Sequence, residues 1–149
     1  VASGAYDKAI QTFRPGSETF SRACPLFVPL VENGRIHRGD KVIELVVEEY
    51  LSELRDQNVD TLILGCTHYP LLSEVIGDFM GPEVQLVSPG AETAEYLIKK
   101  LKQADALASP ERQGSHRYYV TDSAEIFRRQ ASLFMDSDIS GEVSQTELL

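Results

Sequence analysis

Apolar side chains recur at helical spacing over two stretches near the start of the chain. The first stretch predicts a helix over residues 4–13, with Ser3 as its N-cap. Its apolar side consists of Tyr6, Ile10 and Phe13. The second begins at Asp40, a candidate N-cap, and predicts a long amphipathic helix that ends near Gln57. The positions that carry this second pattern are Val42, Leu45, Val46, Leu51 and Leu54.

Short apolar runs rich in β-favouring residues predict the strands. Residues 60–65 form a continuous run between turn residues, which is typical of a central parallel strand covered on both faces. Residues 84–87 and 117–121 predict two further strands. The run at 25–31 contains two prolines, which favours an edge strand or an extended segment, with a turn at 32–34.

Helical patterns alternate with these strands along the rest of the chain. They predict helices over residues 70–79, where Pro70 suits the first turn, and over 90–107 and 123–135. A polar connector containing Pro and Gly is expected at 108–115, and the acidic tail from Asp136 onward is expected to be weakly ordered. Strands that alternate with helices predict an α/β fold, an open parallel sheet flanked by helices with right-handed crossovers.

The composition narrows the possible partners. The chain has 149 residues, 42% of them hydrophobic, which is enough to bury one good core. Acidic residues outnumber basic ones by 23 to 14 and the basic ones are scattered, so no nucleic acid is expected as a partner. The apolar runs are far shorter than the roughly 20 residues that span a bilayer, so no membrane segment is expected. A nucleotide-binding glycine fingerprint is absent from the sequence.

The chain contains two cysteines, Cys24 and Cys66. Two isolated cysteines match neither a disulfide framework nor a zinc ligand set, so reduced thiols in a cytosolic protein and no bound metal are expected. The first residues lack a basic and an apolar signal region, so no export signal is expected. Cys24 lies beside a proline and an apolar run, which favours a buried structural thiol.

The segment that most clearly predicts a reactive site follows the predicted strand at 60–65. Cys66 comes directly after that strand and before a helix, and open α/β sheets bind their ligands at this edge. His68 lies two residues further on and can exchange a proton with a thiol in the same cavity. The pair suits acid/base chemistry and equally nucleophilic acyl transfer, and the spacing is also compatible with a buried structural cysteine.

Other titratable residues are weaker candidates. Glu32 ends an apolar run at a turn, so it could face the site or be an ordinary surface carboxylate. His37 lies between two nearby arginines and His116 lies in the polar connector. Both histidines are therefore expected to be solvated.

Three segments resemble successive motifs of glutamate racemase, in the aspartate/glutamate racemase superfamily. They are Ser3-Gly4-Ala5-Tyr6 followed by Ala9-Ile10, then Ala23-Cys24-Pro25-Leu26-Phe27-Val28-Pro29-Leu30-Val31-Glu32, then Leu64-Gly65-Cys66-Thr67-His68-Tyr69-Pro70-Leu71-Leu72. The closing strand, helix and tail of the family are resembled by Tyr118-Tyr119-Val120-Thr121, Phe127, Ile139, Val143 and Leu148. Aspartate racemases share the Cys-Thr pair but typically continue with an acid, so His68 favours glutamate.

The resemblance implies inversion at Cα of free L- or D-glutamate without metal, pyridoxal phosphate or any other cofactor. One thiolate removes the α-proton, and a thiol on the opposite face delivers another. By resemblance Cys66 acts on L-glutamate, His68 assists it, and Thr67 hydrogen-bonds the amino acid. Glu32 is a further candidate for substrate binding, from its place at the end of an apolar run. Cys24 matches a structural motif of the family, and Ser88 stands where relatives often carry an acid.

The resemblance covers only a little more than the second half of the family's usual length. It implies that residues 1–107 form the second α/β lobe without its first strand, and that residues 108–149 return to a missing first lobe. The second catalytic thiol would come from that lobe, so the expected partner is a missing N-terminal half or a second copy, as in a homodimer. The chain alone is expected to be inactive.

A complete enzyme of this family would supply D-glutamate for peptidoglycan in the bacterial cytoplasm, and so serve cell wall biogenesis and cell shape. Two other readings stay open. The chain could be a non-catalytic α/β binding or assembly module, or a related aspartate or hydantoin racemase.

Overall fold

The computed structural model describes residues 1–112, 114–135, 137, 139 and 143–147. The chain forms two compact units, Val1–Gly90 and Ala91–Leu149. The boundary predicted between residues 107 and 108 separates two lobes of the family's fold, and it stays a prediction. Asp136 and Leu148, which belong to the predicted tail, lie outside the described residues.

The first unit contains most of the elements that position the candidate site. Its helices are α1 (Ala5–Phe13), α2 (Phe27–Glu32), α3 (Lys41–Asp56) and α4 (Ser73–Met80), its strands are β1 (Thr61–Ile63) and β2 (Gln85–Val87), and a 3₁₀ turn spans Tyr69–Leu72. The helices predicted over 4–13 and from Asp40 to Gln57 and the strands predicted over 60–65 and 84–87 are confirmed, but α1 is capped by Gly4 and not by the predicted Ser3. The helix predicted over 70–79 consists of the 3₁₀ turn followed by α4. Asp40 caps α3, since its side chain accepts a hydrogen bond from the Val42 N–H at 3.0 Å.

Helix α3 contributes the largest share of the core of the first unit. Its buried side chains are Ile43, Val47, Tyr50, Leu51 and Leu54. The predicted burial of Leu51 and Leu54 is confirmed. Val42 and Leu45, which were predicted on the same apolar face, are 43% and 63% exposed. Residues 42–47 carry two overlapping apolar stripes. Packing against the neighbouring elements, rather than periodicity, selected which stripe is buried.

The edge strand or extended segment predicted over residues 25–31 is wrong, because this segment forms helix α2. Phe27 and Val31 lie one helical turn apart and are 1% and 0% exposed, so the helix buries both against the core. Pro29 is the third residue of the helix, where its missing N–H would have had no intrahelical partner. The two prolines therefore do not prevent a helix here.

Strands β1 and β2 pair in parallel, with Thr61 opposite Gln85 and Ile63 opposite Val87. Among the described residues β1 has β2 as its one neighbour, so the central position predicted for β1 is not observed. The apolar run at 60–65 indicates that a strand is buried, but it does not indicate how many strands pair with it. The parallel pairing and the intervening α4 agree with the predicted α/β class.

The second unit contains the rest of helix α5 (Pro89–Gln103), strand β3 (Tyr118–Val120), helix α6 (Ala124–Met135) and strand β4 (Val143–Gln145). β3 and β4 pair in parallel, and the Arg128 side chain donates to the Val143 carbonyl at 3.1 Å. The expectation of a weakly ordered tail is therefore wrong for β4, because pairing with β3 orders a segment whose composition is polar. Within the described part of the chain, no helix has the length and apolar character needed to cross a membrane.

Phe27 provides a test of this core. Phe27→Ala should lower the free energy of unfolding by about 3–5 kcal/mol, because a fully buried ring is removed and a cavity remains. Phe13→Ala removes a phenyl ring that is 89% exposed, and should change the free energy of unfolding by less than about 0.5 kcal/mol. Urea unfolding followed by circular dichroism measures both, with Phe27→Leu as the milder variant if Phe27→Ala does not fold. Equal losses for Phe27 and Phe13 would contradict the assignment of Phe27 to the core.

Candidate active site

Cys66 is placed by the end of strand β1. The N–H of Leu64 still donates to the Val87 carbonyl of β2 at 2.9 Å, and Leu64 itself is buried. The N–H groups of Gly65 and Cys66 then turn back onto the carbonyls two residues earlier, at 2.9 and 2.8 Å. This tight turn presents Cys66 at the carboxyl end of a parallel strand, where α/β proteins bind their ligands.

His68 lies beside Cys66 on the same loop. The Cys66 Sγ and the His68 Nδ1 are 4.0 Å apart, and the Thr67 Oγ1 lies 3.2 Å from the same nitrogen. The His68 side chain is 20% exposed, so it is largely shielded while the thiol stays partly accessible. Cys66, Thr67 and His68 are therefore brought together as the sequence analysis expected.

Glu32, the last residue of α2, joins this cluster from elsewhere in the sequence. Its Oε1 lies 3.2 Å from the His68 Nε2, and its side chain is 38% exposed. A carboxylate that accepts a hydrogen bond from the Nε2–H group leaves the Nδ1 lone pair facing the Thr67 hydroxyl and the Cys66 thiol. If Nδ1 takes a proton, the same carboxylate stabilises the imidazolium. The arrangement can therefore hold a thiol and base, or a thiolate and imidazolium.

Cys24 has a different environment. It is 5% exposed, and burial raises the pKa of its thiol to about 11, an effect that the nearby Arg22 partly offsets. Its Sγ lies 3.8 Å from the Arg22 carbonyl oxygen. A thiol in this environment is protonated at neutral pH, so the prediction of a buried structural cysteine is confirmed.

Tyr69, which the sequence analysis did not single out, connects the two cysteine regions. Its hydroxyl donates to the Cys24 carbonyl at 3.1 Å, and its ring packs edge-on against Phe27 with centroids 5.2 Å apart. Burial raises the pKa of Tyr69 to about 12, with smaller contributions from the charges of the two cysteines. Its position directly after His68 was visible in the sequence, but its contacts depend on the tertiary fold.

The other two histidines are exposed to solvent. His37 is exposed in the loop before α3. His116 is exposed in the second unit, where its ring stacks on Tyr118. The expectation that both are solvated is confirmed.

Comparison with curated proteins finds glutamate racemases that match nearly the whole chain. The chain is 44% identical over 148 residues to a glutamate racemase of Geobacter metallireducens, and this alignment covers 99% of the chain and 54% of the relative. It is 43% identical over 141 residues to a glutamate racemase of Desulforudis audaxviator, covering 91% of this chain and 51% of the relative. The chain thus spans about half the length of the curated relatives it matches.

Solved structures agree with these relatives. Glutamate racemase from Francisella tularensis, solved in complex with D-glutamate, superimposes with a TM-score of 0.84 at 32% identity, over 98% of this chain and 53% of that one. The isoform RacE1 from Bacillus anthracis gives a TM-score of 0.86 at 33% identity, over 99% and 53%. No family model matches the sequence. In sequence and in fold, this chain is similar to the glutamate racemases over about half of their length.

Proposed function

We propose that this chain supplies one catalytic half of a cofactor-independent glutamate racemase, with Cys66 as the thiol that acts on L-glutamate. The observation that carries the proposal is the cluster in which His68 links Cys66, at 4.0 Å, to Glu32, at 3.2 Å. It lies at a strand end in a chain that is 44% identical to a named glutamate racemase. Bacterial relatives support a role in making D-glutamate for peptidoglycan in the cytoplasm.

The proposed reaction is a pair of proton transfers at Cα. The Cys66 thiolate takes the α-proton of L-glutamate, and the C–H electron pair stays on Cα and spreads into the carboxylate. A thiol on the opposite face then gives its proton to Cα, which forms D-glutamate and leaves that second sulfur as the thiolate. In the reverse direction Cys66 delivers the proton.

His68 and Glu32 support the change of charge on Cys66 in this scheme. When the thiol has lost its proton, an imidazolium beside the sulfur balances the charge, and the Glu32 carboxylate in turn stabilises the imidazolium. The exposed Thr67 hydroxyl, 3.2 Å from the His68 Nδ1, is free to turn toward a bound amino acid. The D-glutamate in the Francisella tularensis structure supports free glutamate as the substrate.

We infer that the second thiol comes from outside this copy of the chain. The sequence has two cysteines, and Cys24 is buried and protonated. A second copy of the chain would offer another Cys66, whereas the other half of a full-length relative would offer a different thiol. We therefore infer that an N-terminal half completes the site, with a homodimer as the competing arrangement. Residues 108–149, which contain β3 and β4, would belong with the missing lobe.

Selective alkylation tests the assignment of the two thiols. At about pH 8, iodoacetamide should modify Cys66 and leave Cys24 unmodified, because burial and a raised pKa keep Cys24 as an inaccessible thiol. Peptide mass spectrometry measures both sites, and in urea both should react. Modification of Cys24 as fast as Cys66 in the folded chain would contradict this assignment.

Deuterium exchange tests the activity itself. Incorporation of solvent deuterium at Cα of L- and D-glutamate should be absent with this chain alone and present after a separately expressed N-terminal half is added. Cys66→Ala should lower the exchange by at least about 10³-fold, because the base and acid on one face are lost. Cys24→Ala, the matched control, should retain it. Absence of exchange in the mixed, folded sample would favour the non-catalytic α/β module.

His68→Asn should lower kcat more from L to D than from D to L, because His68 assists the thiol that deprotonates L-glutamate. The two enantiomers have equal free energy, so kcat/KM must fall equally in both directions, and the asymmetry is confined to kcat. Glu32→Gln should show the same asymmetry with a smaller loss. Polarimetry in both directions measures these values, with the exposed His37→Asn as control. Small, equal effects on kcat would assign His68 a structural role.

A further inference from the structure

We propose that Tyr6 is a positioning residue for Cys66, acting through a close contact between its ring and Gly65. This inference rests on the proposed function, since it concerns the thiol assigned there. Tyr6 lies in α1, far from Cys66 in sequence, and the contact brings that helix against the loop that carries the thiol.

The contact makes position 65 tight for a residue larger than glycine. A Cβ placed on Gly65 would lie 3.2 Å from the Tyr6 Cε2, 3.5 Å from Cζ and 3.6 Å from Oη, and these are its three nearest neighbours. The φ angle of Gly65 lies outside the left-handed region, unlike those of Gly4, Gly34 and Gly81. An added methyl group at Gly65 would therefore press against the ring, so space and not an unusual backbone conformation favours glycine here.

The opposite side of the loop is fixed by the sheet. Leu64 is buried and hydrogen-bonded to Val87, and the two tight backbone hydrogen bonds that follow reach Gly65 and Cys66. The Tyr6 ring thus lies beside Gly65, the one residue that separates Leu64 from the thiol, while Gly65 itself stays exposed. With the sheet on one side and the ring on the other, the position of Cys66 has little freedom, as proton transfer at Cα requires.

Helix α1 is joined by hydrogen bonds to the segment that follows it. The Asp7 carboxylate accepts from the Ser21 hydroxyl at 3.2 Å, and the Gln11 side-chain amide donates to the Ser17 carbonyl at 2.6 Å. The Tyr6 side chain is 47% exposed, so it contributes little to the core. Its contact with Gly65 can therefore be removed without unfolding the chain.

A double-mutant cycle on this chain tests the contact, with the rate of Cys66 alkylation as the readout. Tyr6→Ala and Gly65→Ala should each raise that rate by about fivefold, because either change loosens the loop. In the double variant the added methyl group no longer meets a ring, so the rate should equal that of Tyr6→Ala alone. Tyr6→Phe should restore the unaltered rate, because the ring carbons make the shortest approach.

Two matched controls separate this contact from general effects. Phe13→Ala removes an exposed ring from the same helix, and Gly77→Ala adds a methyl group at ordinary contact distance from Leu86. Neither should change the alkylation rate by more than about twofold. A rate unaffected by Tyr6→Ala, or a double variant whose effect is the product of the two single effects, would overturn the proposal.

The pH profile and the assembled enzyme complete the test. The plateau of the alkylation rate should change with Tyr6→Ala while the midpoint of the profile does not, since position and not charge is altered. After the N-terminal half is added, Tyr6→Ala should lower kcat by about tenfold with little change in KM, and Tyr6→Phe should retain turnover. If the unaltered assembly shows no exchange, the proposed function fails while the alkylation cycle still decides the role of Tyr6.

Discussion

The candidate site depends on the burial of Phe27 between two tyrosines. Its ring is 1% exposed and meets Tyr50 of α3 and Tyr69 edge-on, with centroids 5.4 and 5.2 Å apart. Each such pair adds about 0.5–1.5 kcal/mol to the burial of the rings. Because α2 begins at Phe27 and ends at Glu32, while Tyr69 directly follows His68, this packing brings the carboxylate and the imidazole within 3.2 Å. A contact in the core thus determines a distance in the site.

The two cysteines show how the environment separates thiols of the same chemistry. Cys24 is almost completely buried, and burial raises its pKa to about 11, which makes it inert at neutral pH. Cys66 lies at a strand end with a histidine and, through it, a carboxylate. The same fold therefore assigns one thiol to packing and leaves the other accessible for chemistry.

Cys66 remains partly accessible in this structure. The proposed proton abstraction needs a dry pocket and an acid on the opposite face, so further groups would have to cover the thiol. The β1–β2 and β3–β4 pairs each have two strands among the described residues, so their outer edges can take up further strands. Both features agree with a chain that spans about half the length of its relatives.

The sequence by itself determined the alternation of helices and strands, the cap at Asp40, and Cys66 and His68 at the end of a strand, because these depend on local periodicity and spacing. It could not determine that residues 27–32 form a helix, or which stripe of α3 is buried, because neighbouring elements decide both through packing. The link from Glu32 to His68 and the contact of Tyr6 with Gly65 join residues distant in sequence. Only the tertiary structure could bring these together, since no local pattern encodes a long-range contact.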